Sequence, residues 1–362
     1  MRNGRNRWRR VVVAVIGLAA AALAGWVLYD NSDELVTAAD TLKSVRPGWV
    51  VVAVLIEVFS YLARGAATAV VLRRGGGGVG TLTLSAAVLA GDAAAYCLPL
   101  GFAASGVVMF GILRRRQVSA AVAGWMFAVA SVFYVSAVTA MTIVAVPIAG
   151  NDDVIPGLQT LSVVLLGVLA AGGGLGYTLL RRPALRSRLA RLLPRVGPGR
   201  GRWDGVAQRV VAPLKSWLAQ LRTVRLTPFT VVSAFGLMIV SWVADVAVLA
   251  VAFIALGSSP PWTGLLLAYC AGQIAASVPI TPGGIGVMEG SITLALVYFG
   301  GAKVITLTAV LLYRLIAYWG CIPAGGLAWL ALRAASRVPA DHAAAVPNEP
   351  VRTEVAEAEP LS

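Results

Sequence analysis

Charge is what this sequence has least of. Asp, Glu, Lys and Arg make up only 13% of its 362 residues, against about 25% in an ordinary soluble chain. A water-facing surface for a chain of this length needs that charge, so a soluble globular protein is excluded. Histidine is nearly absent. The one copy, His342, stands in a polar stretch beyond the last apolar run, and histidine-based catalysis and His-ligated metal chemistry are excluded with it. Cysteine is scarce too: Cys97, Cys270 and Cys321 lie singly in apolar runs with no CxxC pair, which excludes a disulfide framework and a zinc site. No Ser–His pair, HExxH or GK[ST] signature is present. An enzyme is therefore not expected, nor is any cofactor or metal. With no ATP-binding motif, net transport would need an ion gradient or a downhill supply.

What is abundant is apolar surface, at 58% of residues. It comes in runs near the length of about 20 residues that a bilayer-crossing helix needs. Lys and Arg outnumber Asp and Glu by 30 to 16, but they sit in short blocks between those runs. That pattern fixes membrane orientation and does not point to nucleic acid.

Arg2, Arg5, Arg7, Arg9 and Arg10 precede the first run, 11–29, about 28 Å of helix. It exceeds a signal-peptide core of about 7–15 residues, so an uncleaved first span is favoured over a cleaved leader. Further runs cover 49–72, 81–113, 118–148, 155–180, 229–256, 262–299 and 303–333. Asp92 and Pro99 interrupt the third, Asp245 the sixth, and Pro279 and Pro282 the seventh; Arg314 stands near the middle of the last. Lys/Arg bias puts both termini, 73–74, 114–116 and 181–225 in the cytoplasm, with the acidic loops 30–46 and 150–154 outside. Runs 81–113 and 262–299 then each begin and end on one side.

The expected fold is an all-α integral membrane protein with six full spans, two re-entrant broken-helix hairpins and inverted-topology halves. Residues 1–337 form the membrane domain, and 338–362 a disordered cytoplasmic tail. The loop 181–228 carries an amphipathic pattern, read either as a helix on the cytoplasmic leaflet or as a solvated connector.

The strongest local signal is Pro279, Thr281, Pro282, Gly283, Gly284, Gly286 and Glu289 in one short stretch. The prolines end one half-helix, and the glycines let the backbone turn. The next half-helix then starts inside the membrane with its positive dipole end available to an anion; alternatively Glu289 only complements that dipole. Pro99 marks the other break, beside Tyr96 and Gly101. Buried-depth charges are Glu57, Arg64, Asp92, Asp245, Glu289 and Arg314. Each costs about 2.5–3.5 kcal/mol at the bilayer centre, so each must be paired or face a wet cavity. Arg64 can snorkel. Arg314 either pairs with Asp245 or Glu289, or serves with Arg64 as counter-charge to a lipid phosphate in an aqueous cavity shared with Gly283 and Gly284.

The proline–glycine stretch, followed by Arg314 within an apolar span, resembles the lysylphosphatidylglycerol synthase transmembrane-region family, also called the flippase-like domain, over residues 10–335. The resemblance implies a lipid or lipid-linked-glycan flippase of the cell envelope, in the inner membrane. The motif, Arg314 and Tyr96 from the resemblance, taken with the intramembrane charges, give an expected substrate site of Arg314, Arg64, Glu289, Asp245, Asp92, Tyr96, Gly283, Gly284 and Gly286, with Pro99, Pro279 and Pro282 as helix breaks. The implied partners are membrane lipids, either anionic phospholipid or polyprenyl-linked lipid. A non-transporting partner of an envelope-biosynthesis enzyme is the alternative. Two-part members add an aminoacyl-transfer domain; these residues hold none, so aminoacyl-lipid synthesis is not expected.

Overall fold

Hydrocarbon offers no partner to a backbone N–H or C=O, and a helix is the structure that satisfies both within one segment. The computed structural model describes residues 45–98, 101–150, 227–277 and 281–335, and every regular element among them is helical. The expected runs 11–29 and 155–180, Pro99, Pro279, the basic loop as far as residue 226 and the tail 338–362 lie outside the described residues.

In chain order the elements are α1 (Pro47–Arg74), α2 (Thr81–Cys97), α3 (Gly101–Arg115), α4 (Ala120–Ile148), α5 (Pro228–Ala255) and α6 (Trp262–Ser277). A 3-10 turn (Pro282–Gly284) leads to α7 (Val287–Tyr298). After it come α8 (Lys303–Arg314), a π-helical stretch (Leu315–Trp319) and α9 (Cys321–Ala335). Local chemistry sets the ends. Pro47 and Pro228 open α1 and α5, where a missing N–H is harmless. Ser119 Oγ accepts from the Val122 N–H (3.2 Å), and Thr227 Oγ1 from the Thr230 N–H (3.3 Å). Arg73 and Arg74 close α1, where the dipole favours cations.

The stretches Pro47–Arg74, Ala120–Ile148, Pro228–Ala255 and Lys303–Ala335 are long and apolar enough to cross a membrane. Leu55 (62% exposed), Phe229 (77%) and Leu327 (68%) lie on their outer faces, as lipid contact requires. The chain is a multi-pass helical membrane protein. Asp92 and Asp245 do not break their helices as an interruption would; α2 and α5 run straight through them. The break in the first hairpin falls after Cys97, where Leu98 turns extended.

The central contact joins α1 to α5. Ser60 Oγ lies 3.0 Å from the Ser241 carbonyl and 3.1 Å from its hydroxyl, and both serines are fully buried. At the far end the Arg46 N–H donates to Ala255 O (3.0 Å), so the two helices run antiparallel in a fixed register. The α2–α3 hairpin packs on α1 and α9, while α6 and α7 pack on α4 and α8. The last apolar stretch therefore changes partner at its π-helical turn, which also touches α1.

Gly65 lets α2 approach α1. A Cβ built there would lie 2.0 Å from Ser85 Oγ and 2.6 Å from Ser85 backbone atoms, whereas one at Gly124 meets nothing within 4 Å among the described residues. Gly65→Ala should destabilise the protein by about 1–3 kcal/mol through overpacking. Gly124→Ala, which adds only helix propensity, should be neutral or mildly stabilising. Thermal unfolding of the two variants in one detergent checks this; equal melting temperatures would contradict the packing.

Candidate functional site

The two helix breaks meet. Tyr318, in the π-helical turn, donates from its hydroxyl to Tyr96 O (3.1 Å), close to the end of α2. Its ring lies 4.4 Å from that of Tyr96. The same side chain packs on Gly283: a Cβ built there would lie 2.4 Å from the Tyr318 ring and hydroxyl. One tyrosine thus bridges the end of the first half-helix and the turn of the second broken pair. A π-turn inside an α-helix often marks a functional position, and here it is closed by the Gly320 N–H donating to Leu315 O (2.9 Å).

Arg314 sits directly before that turn, four residues from Tyr318, and its guanidinium carbon lies 4.1 Å from the Tyr318 ring centroid. Its Nε donates to Glu289 Oε1 (2.6 Å), Nη1 to Met288 Sδ (3.3 Å) and Nη2 to Gly283 O (3.2 Å). A guanidinium carries five N–H groups, so two remain that no described residue takes up. Glu289 also accepts the Gly286 N–H on Oε2 (2.7 Å). The anion at the start of α7 is therefore this carboxylate, which caps the helix and holds the arginine together. Of the two expected pairings, Arg314 takes Glu289 and not Asp245. Gly283 and Gly284 have φ of +62° and +68°, a left-handed backbone that suits glycine. Arg314 and the glycine turn come together through the Gly283 carbonyl. They are closed over by Tyr318 and leave the arginine 4% exposed.

Arg64 does not snorkel. Nη1 pairs with Asp92 Oδ2 at 2.7 Å, joining α1 to α2, and Nε donates to Ser241 Oγ (3.3 Å). Its guanidinium lies over Tyr61 (5.1 Å) and Trp242 (5.7 Å). A planar cation with two aromatic faces and a carboxylate needs no water. Asp245 belongs to a third group: Tyr269 and Tyr313 both donate to its Oδ2, and Gln273 donates to the Tyr269 hydroxyl (3.0 Å). The antiparallel register of α1 on α5 sets Glu57 opposite Asp245 across that interface, and both are buried.

Of the expected residues, Arg314, Glu289, Gly283, Gly284 and Gly286 thus form one cluster, with Tyr96 joined to it through Tyr318. Arg64 and Asp92 form a second cluster, Glu57 and Asp245 a third. Sequence reading missed Tyr318, Tyr269, Tyr313, Trp242, Ser60 and Ser241. Tyr313 adjoins Arg314 in the chain and Tyr318 comes four residues after it, the spacing of one helix face; that spacing was a usable signal.

The family model described as Lysylphosphatidylglycerol synthase TM region matches residues 13–325. No curated protein matches the chain.

Gly283→Ala combines a left-handed backbone penalty of about 1–2 kcal/mol with the collision against Tyr318. It should lower the melting temperature clearly. In a double-mutant cycle with Tyr318→Ala, the two changes should cost less together than their sum, since removing the ring removes the collision but leaves the backbone term. Strict additivity would contradict the contact.

Proposed function

Because this chain belongs to the lysylphosphatidylglycerol synthase TM region family, we propose that it moves an anionic lipid, either a phospholipid or a polyprenyl-linked glycan, between membrane leaflets. It is a membrane protein of a family tied to envelope lipids, and the headgroup is where its buried arginine acts. The observation that carries the reading is Arg314 at the junction of both helix breaks, with two N–H groups that no described residue takes up. Those two donors suit phosphate, which the planar guanidinium binds through parallel hydrogen bonds. Arg64, Asp92, Asp245 and Tyr96 line the approach in this reading, with Gly283, Gly284 and Gly286 as the turn that yields. Arg314 is 4% exposed, so the reading takes this as the closed arrangement, and the half-helices part to admit a headgroup while the tail stays in the bilayer. No catalytic step is assigned to any residue.

The topology belongs to the same proposal. α2 and α3 have 17 and 15 residues, α6 and α7 16 and 12. Each is short of the roughly 20 that span a bilayer, which supports two re-entrant hairpins beside six full spans. Both termini then face the cytoplasm of an inner-membrane protein, and broken helices meeting at mid-membrane suit alternating access. Single-cysteine labelling in intact cells, with Cys97, Cys270 and Cys321 replaced, should leave position 115 unreactive from outside. Ready external labelling there would remove the re-entrant reading.

A second reading, a membrane partner of an envelope-lipid enzyme that transports nothing, draws on the fact that Arg314 and Arg64 already hold carboxylates at 2.6 and 2.7 Å. One series separates the two. Removing one member of a buried pair costs about 3–5 kcal/mol, so Arg314→Ala should lower abundance, and Arg314→Ala with Glu289→Gln should restore it. On the transport reading the double mutant still fails to move labelled lipid in proteoliposomes, and Arg314→Lys, lacking the fork, is partly defective. Restored abundance with full transport would reject the headgroup role.

A further inference from the structure

The α1–α5 interface buries two carboxyl groups against each other. The antiparallel register set at Ser60 and Ser241 puts Glu57, nearly one turn back along α1, opposite Asp245, one turn on along α5. Both are more than nine-tenths buried, with 8% and 6% of their surface exposed. Asp245 Oδ2 accepts from the Tyr269 and Tyr313 hydroxyls, but Asp245 Oδ1 and Glu57 Oε2 are buried acceptors with no hydrogen-bond partner among the described residues. Two ionised carboxylates facing each other supply no hydrogen to each other and repel at low dielectric.

The surrounding charges do not resolve this. Arg64 is the cation that acts on both carboxyls, and it is paired with Asp92 at 2.7 Å. That pair is neutral as a unit. The other titratable groups facing the site are the phenols of Tyr134 on α4, Tyr269 on α6 and Tyr313 on α8. Tyr269 and Tyr313 already donate their hydrogens to Asp245.

We propose that Glu57 and Asp245 share one proton, making the α1–α5 interface a proton-binding site. Asp245, with two phenol donors, is the carboxylate; Glu57 is the acid that donates to it. The pair then carries one negative charge in place of two. Loss of the proton leaves two opposed carboxylates across the helix contact that holds the two halves together. A sodium ion fits less well, since oxygen donors here are few and one Asp245 oxygen is already shared by two hydroxyls. Resting on the transport reading, this proton is also the driving ion for a chain that shows no ATP-binding motif.

Infrared difference spectroscopy of the full chain in nanodiscs tests the site directly. At neutral pH the wild type should show a protonated-carboxyl C=O band that moves on deuteration, is lost in Glu57→Gln, persists in Glu289→Gln and disappears in alkali. The isosteric Gln keeps a donor toward Asp245, so that variant should fold. A proton held by the folded chain and released on unfolding makes stability fall as pH rises. The wild-type melting temperature should therefore fall from mildly acidic pH upward, once an unfolded carboxyl would be ionised, and level off where the folded pair has lost its proton; that of Glu57→Gln should stay flatter. A wild type without the band, or a band that survives both Glu57→Gln and Asp245→Asn, overturns the proton site, as does a sodium-dependent stabilisation replacing the pH response. In proteoliposomes a pH gradient should accelerate wild-type movement of labelled lipid several-fold and have no effect on Glu57→Gln. Wild-type movement that ignores the gradient overturns the coupling alone. A preparation that moves no lipid overturns the transport reading and the coupling with it, while the infrared band still decides the proton site.

Discussion

A charge taken into hydrocarbon must be neutralised where it lies, because no solvent is present to do it. That constraint organises the interior of this protein. Arg64 and Asp92 tie α1 to α2, Arg314 and Glu289 tie α8 to α7, and Asp245 gathers hydroxyls from α6 and α8 onto α5. Apolar packing alone would not specify which helices meet, since lipid tails compete equally for an apolar helix face. The polar contacts choose the partners, and the buried aromatics around them keep the dielectric low enough for each contact to count.

The second organising feature is close approach. Serines at the α1–α5 crossing, Gly65 against Ser85, and Gly283 against Tyr318 each bring backbones nearer than larger residues would allow. Small residues at helix contacts are how membrane proteins gain dispersion energy and interhelical hydrogen bonds together. In this chain they also place the polar groups within bonding distance. The Ser60–Ser241 contact sets the register that puts Glu57 beside Asp245, and the Gly283 turn admits the ring that covers Arg314.

Tyr318 links these two themes. It stacks on the Arg314 guanidinium, bonds to the Tyr96 carbonyl and fills the space above Gly283. The π-turn places it there. One extra residue in that turn rotates α9 relative to α8, so α8 serves the second broken pair and α9 the first. A side chain touching both breaks and the buried arginine is placed to feel movement of either half-helix.

Helical class, the apolar runs and the two breaks were legible in the residues themselves, because hydrophobic length and proline–glycine punctuation are local properties. The six charges within the apolar runs were equally legible, since any ionisable residue amid a long apolar run stands out. The family was readable from the proline–glycine stretch and Arg314. Partner choice was not. Whether Arg314 met Asp245 or Glu289, and whether Arg64 reached the interface or Asp92, depended on helix register and rotation, which a sequence of similar apolar faces leaves open. Glu57 and Asp245 stand far apart in the chain, in separate apolar runs, and nothing near either one signals the other. Only the antiparallel packing of α1 on α5, fixed by two buried serines, set those carboxyls opposite each other.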